Sequence, residues 1–202
     1  MKKTLIIVDF QKDFANKKGS LYVDGSEKAE KEIIKYISKN YKDINEVIFT
    51  IDWHSIDHCS FKRNDGMWPV HCLQYSEGAG ISDKLIQTCL TFSIPFDVFK
   101  KGNNNLEEEY GAFENISMGS NGTNTCLWVD NMLKNSEIFI NTPNLVICGI
   151  AGDYCVKFTL ENLLRHKNSN ELNIEVLTKG IASIDGGTTI DNFIKENNLK
   201  TI

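Results

Sequence analysis

Toward the end of its third quarter the chain reads Leu145-Val-Ile-Cys-Gly-Ile-Ala-Gly-Asp-Tyr-Cys155-Val156. An apolar run of the kind that forms a buried parallel strand meets a turn of small residues. The turn ends in a cysteine, and a helical pattern starts at once. A thiol there faces helix N-terminal amides, whose dipole favours the thiolate. The same amides can receive negative charge on whatever the sulfur attacks, as an oxyanion hole requires. A lone cysteine in such a place is more often an inert core thiol, so the reading depends on its company.

That company stands at other strand ends. The first apolar strand finishes in Val8-Asp9-Phe10, and Asp9 could serve as a general base for the thiol. Another finishes in Phe99-Lys100-Lys101-Gly102, and Lys101 could lower the thiol pKa and keep the acid ionised. Alone, Asp9 reads as a loop hydrogen-bonding residue and Lys101 as a solvated lysine. At the ends of separate strands they make an Asp-Lys-Cys triad with Cys155.

A second constellation is Asp52-x-His54 with His71. The chain has four histidines, and His54, His58 and His71 all fall in one loop. Residues two apart on extended chain face the same side, so Asp52 and His54 can grip one ion and His71 can return to it. One carboxylate and two imidazoles with open positions suit Zn²⁺, Fe²⁺ or Mn²⁺, zinc first. The dipeptides His58-Cys59 and His71-Cys72 offer a rival, a structural Cys₂His₂ knot. Neighbours on extended chain point to opposite sides, and the spacing matches no usual finger. Phe14, Trp68 and Tyr110 lie in loops near the same strand ends. Each alone is better read as core; together they could stack a flat aromatic substrate.

The elements that must position these groups alternate strand and helix. Strands are expected at Thr4–Asp9, Glu46–Asp52, Phe96–Lys100, Asn144–Ile150 and Ile174–Thr178, with a short one at Leu199–Ile202. Helices are expected at Ser26–Tyr41, Thr125–Leu133, Asp153–His166 and Thr188–Glu196. Ala29, Ile33, Ile34 and Ile37 share one face of the first helix. Such alternation gives right-handed crossovers and a mostly parallel sheet of about six strands between two helical layers, a three-layer α/β/α, Rossmann-like fold. Chemistry then belongs at the carboxyl ends of the strands. The long irregular stretch from His54 to about Gly80 reads as functional rather than filler.

With 202 residues, 41% hydrophobic and 24% charged, the chain suits a single domain over 1–202. A formal net charge of -5 without any basic stripe argues against nucleic acid and anionic membrane as partners. The apolar run after Lys3 is too short for a signal peptide, and no stretch is long enough to span a bilayer, so a cytoplasmic protein is expected. Six cysteines without a CxxC pair read as reduced core or site thiols.

Taken in order, Val8–Phe14, Asp52-Trp-His54, Asp57-His58, Trp68-Pro-Val-His-Cys72, Phe99–Gly102 and Gly149–Val156 resemble the isochorismatase-like cysteine hydrolases, and within them the nicotinamidase/pyrazinamidase family. The resemblance extends over most of the chain. It implies a single isochorismatase-like domain in which Asp9 is the acid/base, Cys155 the nucleophile, and Lys101, rather than Lys100, the family lysine. It implies a cis peptide between Ile150 and Ala151 that turns the Ala151 and Cys155 amides toward an oxyanion. It implies one divalent metal on Asp52, His54 and His71, with His58 a further ligand in some members. The implied reaction is hydrolysis of nicotinamide, and of pyrazinamide, through a cysteine thioester, a step of NAD salvage. Homo-oligomers are common among such proteins.

Related hydrolases of N-carbamoyl compounds share the triad but generally lack the Asp-x-His…His set. Isochorismate hydrolases generally lack the cysteine. A binding protein on a degenerate hydrolase fold would have lost a catalytic residue, and none is lost here. Three departures stand out: Tyr154 where the family usually has His, Gly152 where Thr or Ser is frequent, and a long acidic Asn103–Tyr110 segment. Tyr154 is thereby expected in the substrate pocket wall.

Overall fold

The computed structural model describes residues 2–112, 143–165 and 172–202. The expected helix over Thr125–Leu133 and Cys126 lie outside these residues. Six strands form one sheet: β1 (Lys3–Val8), β2 (Ile44–Asp52), β3 (Phe96–Lys101), β4 (Asn144–Ile150), β5 (Asn173–Ala182) and β6 (Lys200–Thr201). Their order is β3-β2-β1-β4-β5-β6, and every pairing is parallel.

Parallel strands covered on both faces read as continuous apolar runs, and β4 is buried at every position after Asn144. Its side chains and those of β1 alternate between two cores. Leu5, Ile7, Val146 and Cys148 pack with Ala29, Ile33 and Ile37 of α2 (Ser26–Asn40), which follows the one-turn α1 (Lys12–Ala15), and with Leu85 and Cys89 of α3 (Asp83–Thr91). Ile6, Val8, Leu145 and Ile147 pack with Leu160 and Leu163 of α4 (Lys157–Arg165) and with Ile190 and Ile194 of α5 (Thr188–Glu196). Each fully buried side chain of the size of Ile33 stabilises the fold by about 1.5–3 kcal/mol. The expected three layers are therefore present. Among the described residues no helix is long and apolar enough to cross a membrane.

Three local features differ from the sequence reading. Helix α3 was not expected; its signal was Ser82, whose side chain accepts the Leu85 N–H as an N-cap, with only Leu85, Thr88 and Cys89 buried behind it. Strand β5 runs on past Thr178 to Ala182 because its register against β4 shifts between Ile147 and Gly149, with Lys179 exposed there and Gly180 buried against Ile33 and Leu177. The helix expected from Asp153 begins as a single wide turn, Gly152–Val156, closed by Val156 N–H to Ala151 C=O at 3.0 Å, before α4 starts at Lys157.

Strand order reverses direction between β1 and β4, the switch point where open α/β sheets place their ligand crevice. Asp9 follows β1 and Cys155 follows β4. Asp52 ends β2 and Lys101 ends β3.

Candidate active site

Four neighbouring strand ends bring their chemistry into one buried cluster. The Lys101 ammonium stands 2.8 Å from Asp9 Oδ2, pairs with Asp52 Oδ1 and lies 3.7 Å from Cys155 Sγ. Its remaining bond goes to the Glu109 carbonyl at 3.1 Å. Asp9 Oδ1 accepts the Thr50 hydroxyl at 2.7 Å, and the Asp9 carboxylate lies within 4.8 Å of the Cys155 sulfur. Asp9 takes a left-handed φ of 45°, which turns the chain off the end of β1 and aims its side chain along the crevice. Lys100 points elsewhere, its ammonium 4.5 Å from the centroid of the Trp53 ring.

Burial sets the protonation of this cluster. It raises the Asp9 pKa, Asp52 adds to the rise, and Lys101 opposes it. It also pushes the Cys155 thiol well above its ordinary range; Lys101 pulls the other way, and Asp9 and Asp52 reinforce the rise. For Lys101 burial alone would depress the ammonium, but Asp52, Asp9 and Cys155 hold it well above the usual lysine value. The low-pKa thiol expected from a helix terminus is therefore not what this environment produces. One cation serves two carboxylates, so the proton rests on sulfur, and a thiolate needs Asp9 as its acceptor.

Beside the triad, Asp52 Oδ2 lies 3.6 Å from His54 Nε2 and 3.9 Å from His71 Nε2. Each imidazole is oriented by its other nitrogen: His54 Nδ1 meets Gly102 C=O at 3.0 Å, His71 Nδ1 meets Pro69 C=O at 2.8 Å, and His58 Nδ1 meets Ser60 Oγ at 2.8 Å. The Nε2 atoms of His54 and His58 are buried without a hydrogen-bond partner. Buried polar atoms left so are costly, and lone pairs converging beside an ionised carboxylate fit a divalent cation. Burial would raise Asp52, but Lys101 and His54 hold it well below the usual carboxylate range, so it is anionic. Burial, with His54 beside it, brings His58 down to about 4, leaving it neutral as a ligand must be. Gly102 is required here, because at its φ of 67° a side chain would overlap the His54 ring. Phe61, fully buried, sets its ring edge against His54 and His71, with centroids 5.6 and 5.4 Å away. Neither Cys59 nor Cys72 joins a cluster of potential ligands, so the Cys₂His₂ knot does not form. All five cysteines among the described residues are free.

Both centres open on a cleft whose lining includes Phe14, Trp68, Tyr110, Tyr154, Ala151 and Cys155. Tyr154 meets Trp68 and Tyr110 at centroid distances of 5.2 and 5.3 Å. Trp68 Nε1–H donates to the Tyr110 hydroxyl at 3.0 Å, so these polar tips satisfy each other and the rings make the wall. The Ile150–Ala151 peptide is cis. At Gly152 a side chain would overlap Ser183 Oγ and stand 2.7 Å from Ile181 Cγ2, which accounts for the missing Thr or Ser.

The sequence reading missed Glu108. It lines the cleft, and its carboxylate lies within 4.8 Å of a ring nitrogen of His54 and one of His58. Burial, then Asp52, raises its pKa. The only sequence signal was the acidic segment itself, in which Glu109 instead accepts the Gly102 N–H at 2.8 Å.

No protein-family model matches the chain. The nicotinamidase of Escherichia coli K12 is 32% identical to it over 178 residues, covering 81% of this chain and 76% of its own. The nicotinamidase/pyrazinamidase of Mycobacterium tuberculosis is 30% identical over 191 residues, covering 93% of this chain and 90% of its own. The crystal structure of the pyrazinamidase of Pyrococcus horikoshii in complex with zinc superposes with a TM-score of 0.75 at 25% identity, over 100% of this chain and 99% of that one. With sequence likeness at this level and the strand ends arranged as described, the chain belongs to the nicotinamidase family of isochorismatase-like hydrolases.

Proposed function

We propose that this chain, as one domain over residues 1–202, hydrolyses nicotinamide to nicotinate and ammonia, with pyrazinamide as a second substrate. The observation that carries the reading is the meeting of Asp9, Lys101 and Cys155 on the floor of an aromatic cleft. Asp52, His54 and His71, with His58 and Glu108 in reach, would hold a divalent ion, Zn²⁺ before Fe²⁺ or Mn²⁺. When bound, that ion supplies a positive centre that receives the pyridine nitrogen, directly or through water, and so fixes the ring.

The residues then divide the work. Phe14, Trp68, Tyr110 and Tyr154 enclose the flat ring and exclude water. The Cys155 S–H proton passes to Asp9 as sulfur bonds to the carboxamide carbon, and the C=O electron pair moves onto oxygen. The Ala151 and Cys155 amides receive that oxyanion. Lys101 balances the negative charge as it moves between sulfur and Asp9. Protonated Asp9 gives its proton to the amide nitrogen, the C–N bond breaks and ammonia leaves a thioester. Water surrenders a proton to Asp9 and its oxygen attacks the thioester carbon; sulfur departs, is reprotonated by Asp9, and nicotinate is released.

The test is ammonia release from nicotinamide by metal-replete protein, beside Cys155→Ala and chelator-treated samples. Turnover that needs both Cys155 and the metal supports the reading. Folded, metal-replete protein without turnover sinks the substrate and points to carbamoyl-type amides.

A further inference from the structure

Asp52 carries two duties on one side chain: Oδ1 takes Lys101 and Oδ2 faces the histidines. What fixes the direction of that side chain is its own backbone, and the ladder leaves the N–H and C=O of Asp52 unheld. Toward β3 the bonds continue, with Trp53 N–H donating to Lys101 C=O at 2.9 Å. Toward β1 they stop. The last rung of that pairing is Ile7 with Phe49, Asp9 N–H reaches Thr50 C=O at 3.1 Å, and the chain then turns away at Asp9.

The amide of Gln11 fills the vacated slot. Its Oε1 accepts the Asp52 N–H at 2.7 Å, and its Nε2 donates to the Asp52 C=O at 2.8 Å and to the Ala79 C=O at 3.0 Å. Gln11 is fully buried. A single side chain thus replaces the missing strand residue and pins both main-chain polar groups of Asp52, one from each of its two peptides. A backbone unit held on both edges cannot tilt without breaking buried hydrogen bonds.

We propose that Gln11 is a positioning residue of this enzyme, acting through Asp52 to hold the metal-binding carboxylate in line with Lys101. This rests on the metal centre proposed above. One residue, Phe10, separates it from Asp9, so the same short turn places the proton carrier and steadies the metal ligand.

The experiment measures the Zn²⁺ dissociation constant of the full chain by competition with a chromogenic chelator, and the visible spectrum of the Co²⁺-loaded protein. Wild type is compared with Gln11→Met, which keeps the side-chain length and loses all three bonds. The control is Gln74→Met, which loses a like bond one residue away, from Gln74 Nε2 to the Trp53 C=O at 2.9 Å. Gln11→Met should bind Zn²⁺ about 10- to 100-fold more weakly, the usual effect of losing an outer partner of a ligand, and its Co²⁺ spectrum should shift. Gln74→Met should bind within about twofold of wild type with an unchanged spectrum, since its side chain holds one carbonyl only and the N–H of that peptide, on His54, stays bonded to the Cys72 C=O at 3.2 Å. If Gln11→Met does not fold, Gln11→Asn, with an amide one carbon too short to reach both groups, is read by the same criteria. A folded Gln11 variant with wild-type affinity and spectrum, or a Gln74→Met loss as large, overturns the proposal. Wild type that binds no Zn²⁺ overturns the metal centre itself, and this proposal with it.

Discussion

Asp52 and Lys101 are partners on the same rung of the β2–β3 ladder, and their side chains form an ion pair beyond it. That rung joins the two halves of the site. The ammonium belongs to the thiol cluster, and the second carboxylate oxygen belongs to the histidine cluster.

Asp52→Asn should therefore fail in a way that His71→Ala does not. Removing His71 takes away one ligand, so metal affinity should drop about 100-fold or more, and excess Zn²⁺ should recover much of the turnover. Removing the Asp52 charge also leaves Lys101 with Asp9 alone, and excess Zn²⁺ should not restore rates. Turnover measured against Zn²⁺ concentration separates the two; full rescue of Asp52→Asn would contradict the shared role.

Asp9→Asn should uncouple thiol acidity from catalysis. The Asp9 charge helps to raise the Cys155 pKa, whereas Lys101 lowers it. With Asp9 neutral, Lys101 acts on sulfur less opposed, and the pH midpoint for alkylation of Cys155 by iodoacetamide should fall below that of wild type. Nicotinamide turnover should fall by about 10²–10⁴ because the proton carrier is lost. A midpoint that rises instead would mean that the cluster is not arranged as described.

Away from the site, Glu46 should make stability depend on pH. Burial, reinforced by Asp97, pushes this carboxyl from 4.5 up to about 7. The folded chain then binds the proton more tightly than the unfolded one. The advantage is complete below about pH 4.5 and is lost as pH rises through about 7. Glu46→Gln should gain about 1–2 kcal/mol over wild type at pH 8 and almost nothing at pH 4.5, after allowance for partial exposure. Urea melts of the pair at both pH values would check the sign.

Restoring the more frequent family residue at position 152 should do harm. The side chain of Gly152→Thr would collide with Ser183 and Ile181, and overpacking of this kind costs about 1–3 kcal/mol. A melting temperature equal to that of wild type would show that β5 yields more easily than its packing suggests.

Which parts were legible in the sequence follows from physical cause. Buried parallel strands must be continuously apolar, so β1, β2 and β4 stand out, and the groups that end them stand out by contrast. Helix α3 buries too few apolar residues to print a clear period. The continuation of β5 through Lys179-Gly180 depends on a register shift against β4, which no local pattern encodes. In Glu107-Glu108-Glu109 the three residues are chemically alike; only the path of the loop decides which one reaches the cleft. Gln11 was hidden for a similar reason, since its partner is the backbone of a strand 41 residues away.

The four strand ends have a consequence for the order of events during folding. Ile6 and Cys148, whose carbonyl and thiol meet at 3.8 Å across the β1–β4 seam, are 142 residues apart in the chain. Parallel pairing over such distances forms slowly, because loop closure must precede any reward. A fragment that ends before β4 holds Asp9, Asp52 and Lys101 but lacks Cys155. On dilution from denaturant, helical signal should return first and hydrolytic competence last, so that turnover reports completion of the central seam.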